Sequence, residues 1–319
     1  MRARLAAIVL GASLLATGPV RAAWPEKPIT FVVPYSAGGA TDLLVRSIVP
    51  HLEKSLGAKF VVVNRTGASG EIGMASVAAS LPDGYTIGLI VSPPVVSVPI
   101  ERTSLLHWER LDLLGNLVDD PCAFTVHRDS PIRTVADLVA EAKRRPGAIS
   151  VGTTGTGSDD HLAMVALERA AGVRFNHIPF KGGADVRSAL TGKQIEVASM
   201  NIGEGTQGAK NGMPYHNLAQ MSRTRSALAP EVPTFAELGY DIEMAALRGL
   251  AAPRGMPPDI REKLVKAVAE AMANPAYRAR ITEAYQPLRY LAPEDYAREL
   301  RSAERELRKL WAQSPWSDK

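Results

Sequence analysis

Apolar residues along this chain gather in short β-rich runs. Each run is followed by glycines and capping residues, and then by an apolar stripe at helical spacing. Phe31, Val32 and Val33 form the first run, Gly38-Gly39 the turn, and Thr41 or Asp42 the cap. Leu44, Ile48 and Leu52 then mark one face of a helix that Gly57 ends and Pro50 is expected to kink. Residues 59–63 predict a second strand, a short helix follows to Ala79, and residues 86–91 predict a third strand ending at Ser92. Strand, helix, strand, helix, strand is a βαβαβ unit with a parallel sheet and helices on its faces.

The same order returns farther on. Residues 149–153 predict a strand, residues 155–160 a glycine turn with caps, and residues 161–171 a helix closed by Gly172. Residues 174–178, the turn at 180–183, a helix over 184–190 and a strand over 195–200 ending at Asn201 complete a second unit. The fold class is therefore α/β with two Rossmann-like lobes. The chain is expected to cross between them within residues 119–126 and to return near 243–250. That assigns residues 23–122 with 247–319 to one lobe and 123–246 to the other. Three proline-started helices close the chain, and the last carries Tyr296, Leu300, Ala303, Leu307 and Trp311 as a packing stripe.

Residues 1–22 change the picture of where the chain works. Arg2 and Arg4, the apolar run from Leu5 to Ala16 and the small-x-small triplet Val20-Arg21-Ala22 describe a cleavable secretory signal, with an apolar run too short to span a bilayer. Without Arg2, Arg4 and Arg21, 34 basic residues face 33 acidic ones, so the electrostatic case for nucleic-acid binding disappears. Cys122 is the only cysteine, which rules out an intramolecular disulfide and a lipid at the cleavage point. An exported, soluble, monomeric protein is expected.

The candidate chemistry is that of an anion site. Residues 31–42 run from a buried strand through Gly38-Gly39 into a helix start, whose free N–H groups and positive dipole end suit a carboxylate, phosphate or sulfate. The stretch lacks Gly-Lys-Ser/Thr and G-x-G-x-x-G, so nucleotide binding has no support. Ligands of open α/β sheets lie beyond the carboxyl ends of the strands, which brings Ser92 and Asn201 to the cleft. Tyr35 and Phe180 form a wall there or cover the core. Arg248 binds a second carboxylate or pairs across the lobes, and Glu204 is the one candidate partner for an ammonium. Ser158, Asp160 and His161 crowd together, but neighbours in sequence do not make a catalytic triad, and the six histidines form no metal motif. Neither an enzyme, a metal nor a cofactor is expected.

The ordered set WPEKPITFVVPYSAGGATD, NRTGASGEIGMASVAASLPDGYT, TTGTGSDDH and FKGGAD resembles the Bug-type periplasmic solute-binding proteins of tripartite tricarboxylate transporters. The likeness runs over nearly the whole chain after the signal. It implies a periplasmic two-lobed Venus flytrap of the type II-like kind that captures a small carboxylate and hands it to the membrane subunits of such a transporter. By that resemblance the ligand contacts fall on Tyr35, Ser36, Ala37, Gly38, Gly39, Ala40, Thr41 and Asp42, on Ser92, on the loop from Thr154 to Ser158, and on Asn201. Arg248 adds the expectation of a dicarboxylate with an aliphatic or aromatic middle. A periplasmic partner of a receptor kinase would use the same pocket. The chain departs from the family's pattern at Ile202-Gly203-Glu204-Gly205 and at the acidic pair Asp159-Asp160, where relatives often carry neutral residues.

Overall fold

The computed structural model describes residues 24–313 and 315–317, so the expected signal over residues 1–22 lies outside the described residues. The chain runs β1 (Ile29–Val33), α1 (Ala40–Leu56), β2 (Phe60–Asn64), α2 (Glu71–Ala78), β3 (Thr86–Ser92), α3 (Pro94–Glu101) and the long β4 (Leu111–His127). It continues with α4 (Val135–Arg144), β5 (Ser150–Thr153), α5 (Asp159–Ala171), β6 (Asn176–Pro179), α6 (Gly183–Thr191), β7 (Val197–Asn201), α7 (Ile202–Lys210) and β8 (Tyr215–Gln220). It ends with β9 (Ala245–Pro253), α8 (Pro258–Ala273), α9 (Pro275–Glu283), β10 (Leu288–Leu291) and α10 (Pro293–Gln313).

Two parallel blocks share this framework. In one, β1 pairs with β2 and β3; in the other, β5 pairs with β6 and β7. They are joined by antiparallel strands. β4 pairs with β9 from Leu111 opposite Pro253 to Pro121 opposite Ala245, and from Cys122 onward it pairs with β7 and β8 instead. β9 also pairs with β3, so each crossing strand is built into a sheet rather than hung between lobes as a loose linker. At about 3.3 Å per residue, β4 alone reaches roughly 55 Å, which lets one strand serve both lobes.

Burial follows the apolar pattern. Phe31, Val33, Leu44, Ile48 and Leu52 join Leu264, Val268 and Tyr277 in the first core, so the stripe on α1 faces both the sheet and α8. α1 runs on through Pro50 to Leu56, where Gly57 closes it at φ 65°. Phe124, Val151, Leu167 and Phe235 centre the second core. In α10, Tyr296, Leu300 and Leu307 are buried as the spacing predicts, while Arg308 pairs with Glu304 on the solvent side. α3 is an element the apolar pattern does not mark: Pro94 opens it and Pro99 lies within it, yet Val95, Val96 and Val98 are buried and the helix packs on α10. No helix among the described residues is long and apolar enough to cross a membrane.

Candidate ligand-binding site

The carboxyl ends of β1, β3, β5 and β7 converge on a closed cleft. Its heart is a cavity of about 30 Å³ lined by Tyr35, Ala40, Thr41, Val91, Thr154, Asp159, Asp160, Gly183, Asn201, Glu204, Ala246 and Arg248. That is room for about one water, so the two sides are in contact. Ser36 Oγ bonds the Asp185 carboxylate, Ser69 Oγ donates to the Thr156 carbonyl, and Ser97 Oγ donates to the Gly157 carbonyl. Arg187 Nη2 reaches the Gly38 carbonyl at 2.8 Å.

The glycine loop before α1 is held by Asp42. Its carboxylate accepts the Gly38 N–H at 2.9 Å, the Arg46 Nε–H and the Asn64 amide, while Asn64 also donates to the Tyr35 carbonyl. Burial works against the charged form of Asp42, but these donors together hold its carboxyl below its ordinary value. Asp42 thus shapes the loop from behind. At the front, the Ala40 N–H points to the Glu204 Oε1 of α7 at 3.2 Å, and Arg187 Nη1 donates to the same oxygen. A carboxylate from the second lobe therefore rests on the helix start of the first.

Across the cleft, α5 begins at Ser158, whose hydroxyl accepts the His161 N–H at 3.1 Å. Its first turn carries Asp159 and Asp160, both buried. Asp159 Oδ2 accepts from Asn201 Nδ2 at 3.0 Å and from the Cys122 thiol, and Asp160 Oδ2 accepts from the Thr154 hydroxyl at 2.7 Å and the Thr154 N–H. Burial pushes both carboxyls up, and the charge of Asp159 pushes Asp160 further. Arg248 of β9, 3% exposed, sends Nη1 to Asp120 and Gln286 at 3.0 Å and Nη2 to the Asn201 oxygen at 2.6 Å. Asp120 also accepts the Gly203 N–H, and burial, opposed by Arg248, raises its carboxyl to about 7. Among the described residues, two buried side-chain atoms of the cavity lining have no hydrogen-bond partner: Arg248 Nε and Asp160 Oδ1.

The model of the tripartite tricarboxylate transporter family receptor matches residues 44–303. The chain belongs to that receptor family. A curated Cupriavidus necator protein, the "UPF0065 protein in gbd 5'region", is 34% identical over 283 residues, covering 86% of this receptor and 83% of the relative. The solved structure of the periplasmic binding protein BugD is similar with a TM-score of 0.86 at 28% identity, over 93% of this receptor and all of that chain. The structure of R. palustris Rpa4515 with adipate is similar with a TM-score of 0.84 at 26% identity, over 91% and 98% of the two chains. These likenesses fix the two-lobed periplasmic-binding-protein fold and place the receptor in a family of solute binders.

The receptor gathers some of the sequence-derived residues and disperses others. Tyr35, Ala40, Thr41, Thr154, Asn201 and Arg248 line the cavity; Ser36, Ala37, Gly38, Gly39 and Asp42 form the loop beneath it. Ser92 lies instead against a separate open hollow of about 750 Å³, and Phe180 packs beside Gly152 with the Val186 and Leu190 cluster. Ser158 is spent as a helix cap. The crowding of Ser158, Asp160 and His161 resolves into capping as well: His161 Nδ1 accepts the Gly157 N–H at 3.0 Å, and Asp160 bonds Thr154 rather than the imidazole. Arg248 is a buried ion pair with Asp120, so both Nη groups that would clamp a second carboxylate are in use.

Glu204, at 6% exposure, and the acidic pair carry more of the site than the pattern suggested. Their signal was present in the sequence as acidic residues in the first turns of the helices that follow β5 and β7. Cys122, Asp159 and Asp160 have ligand atoms within 4.8 Å of one another, the one such grouping among the described residues. Burial, with the charges of Asp159 and Asp160 behind it, raises the Cys122 thiol well above its ordinary value.

Proposed function

We propose that this receptor is a periplasmic solute-binding protein that holds a small carboxylate between its lobes and delivers it to the membrane subunits of a tripartite tricarboxylate-type transporter. The observation that carries this reading is the Glu204 carboxylate on the Ala40 N–H: the start of α1 accepts a carboxylate, and a ligand's carboxylate would take the same seat. The adipate named with Rpa4515 supports a carboxylate ligand and keeps dicarboxylates in the class. Arg248 would offer a far carboxylate only its Nε–H. The lobes we assign are residues 23–122 with 247–319 and residues 123–246, since β4 changes partners between Pro121 and Cys122. Binding from both lobes couples occupancy to closure, because the ligand favours the closed form by the contacts it gains there.

A thermal-shift screen of the exported protein against mono-, di- and tricarboxylates and their neutral amides tests the reading. A ligand at about 100 times its dissociation constant adds roughly 2.7 kcal/mol of stability. The expected result is a shift with a carboxylate and none with its amide; equal shifts from both would sink the anion seat.

A further inference from the structure

Resting on the carboxylate reading, a second property of the ligand follows from the charges its cleft already holds. Asp120, Asp159, Asp160 and Glu204 are all 6% exposed or less, and one guanidinium, Arg248, is buried among them. Arg248 pairs with Asp120, and Arg187 pairs with Glu204. Among the described residues no basic side chain forms an ion pair with Asp159 or Asp160. A ligand that brought only carboxylates would set more negative charge against this pair.

The unpartnered atoms point to what is missing. Arg248 Nε is a buried donor without an acceptor, and Asp160 Oδ1 is a buried acceptor without a donor; both residues line the same small cavity. A buried polar group left unpaired is unfavourable, more so when charged, so a ligand satisfying both gains on both. Carboxylate alone answers Arg248, and amine alone answers Asp160. We propose that the ligand is an aminocarboxylate whose protonated nitrogen is received by Asp160 Oδ1 beside Asp159, while its carboxylate meets the start of α1 or the Nε–H of Arg248. Glu204 is then the resident substitute for the ligand's carboxylate, and the Asp159-Asp160 pair is the part that selects the cation.

Matched pairs decide the matter. Isothermal titration of the exported protein would compare aspartate with succinate, glutamate with glutarate, and 6-aminohexanoate with hexanoate, alongside butylamine and 1,4-diaminobutane. The expected result is at least tenfold tighter binding of an amino acid than of its deaminated partner. In Asp160→Asn that advantage should fall to threefold or less while the deaminated acid binds as well as before or better. If the deaminated acids bind as tightly as the amino acids, the aminocarboxylate inference is overturned and the carboxylate reading stands. If an amine without a carboxylate binds as tightly as any amino acid, the carboxylate reading fails and the cation site stands. An advantage that survives in Asp160→Asn overturns the assignment to Asp160, and binding of none of these probes overturns both.

Discussion

The Glu204 carboxylate on α7 accepts the Ala40 N–H that opens α1, at 3.2 Å, so one lobe supplies the anion that the other lobe's helix start attracts. On the proposed reading, a ligand carboxylate takes this seat and displaces the resident. Glu204→Gln keeps the side chain's size but removes the charge that repels an incoming carboxylate, and leaves only a neutral amide oxygen, a weaker acceptor, to compete with it for the Ala40 N–H. The expected outcome is carboxylate binding tighter by about three- to tenfold, a gain of roughly 0.7–1.4 kcal/mol, read by isothermal titration. Weaker binding in this variant would mean that Glu204 serves the ligand rather than standing in for it.

Closure itself depends on a glycine. A Cβ on Gly182 would lie 2.8 Å from the Ser36 backbone nitrogen and 2.7 Å from its Oγ, across the cleft. The Gly182 φ of 171° is extended backbone that alanine adopts, so each lobe should fold as before. Gly182→Ala is therefore expected to leave the urea midpoint of the unliganded protein within about 0.5 kcal/mol of its original stability. It should weaken ligand binding by tenfold or more and enlarge the radius of gyration in X-ray scattering with ligand present. Unchanged affinity would show that the ligand does not need this contact closed.

Much of this was legible in the chain. The strands and helices of the two βαβαβ units came from apolar runs punctuated by glycine, and Tyr35, Thr154 and Asn201 reach the cleft because each stands at or just past the end of a strand. What the pattern could not reveal is orientation. Ser92 also ends a buried strand, but it faces the hollow near Met244 and Leu307 instead of the cleft. α3 stayed hidden because its prolines argue locally against helix while burial of its valines argues globally for one. Arg248 was open between ligand and ion pair because its partner, Asp120, lies 128 residues away and only the β4–β9 pairing brings the two together.

Ser92→Ala is the matching control. With its side chain against the other hollow, the change is expected to alter ligand affinity by less than twofold. Asp42→Ala should weaken binding about tenfold, because the loop loses the acceptor for Gly38 N–H and the bonds to Arg46 and Asn64. Titration of both variants with the same ligand checks the contrast. Equal losses in the two would return Ser92 to the ligand's surroundings.

The Arg248–Asp120 pair is a stability element with a pH signature. Arg248→Met leaves a buried carboxylate without its cation and strips donors from Asn201 and Gln286, for an expected loss of about 3–5 kcal/mol. Asp120, with a carboxyl raised to about 7, escapes part of that loss by taking up a proton in acid. Urea denaturation should therefore show a larger deficit for Arg248→Met at pH 8 than at pH 5. Asp120→Asn combined with Arg248→Met should cost less than the sum of the two single changes. An equal deficit at both pH values would mean that Asp120 stays charged without its partner.

The same buried acids contribute to the pH dependence of the unliganded protein. Asp120 titrates near 7 when folded but near 3.9 when unfolded, and burial moves Asp159 and Asp160 in the same direction. Between about pH 4 and pH 7 the folded chain holds protons that the unfolded chain has released, so stability falls as pH rises across this window. Asp42 opposes the trend only at the acid end: its lowered carboxyl adds stability above its unfolded value that is lost as pH falls through the folded one. The groups facing the acidic pair are Arg248, Glu204, Cys122 and Tyr35, and of these only Arg248 offsets its charge. The expected urea midpoint is higher at pH 5 than at pH 7.5, and Asp160→Asn should narrow the difference by removing one of the groups that titrates. A bound aminocarboxylate should narrow it too, since its cation favours the ionised pair and its binding should release protons, measurable by titration in buffers of different ionisation enthalpy. A midpoint that climbs steadily from pH 5 to pH 7.5 without ligand would show that the carboxylates of the cleft are ionised at a cost the fold already absorbs.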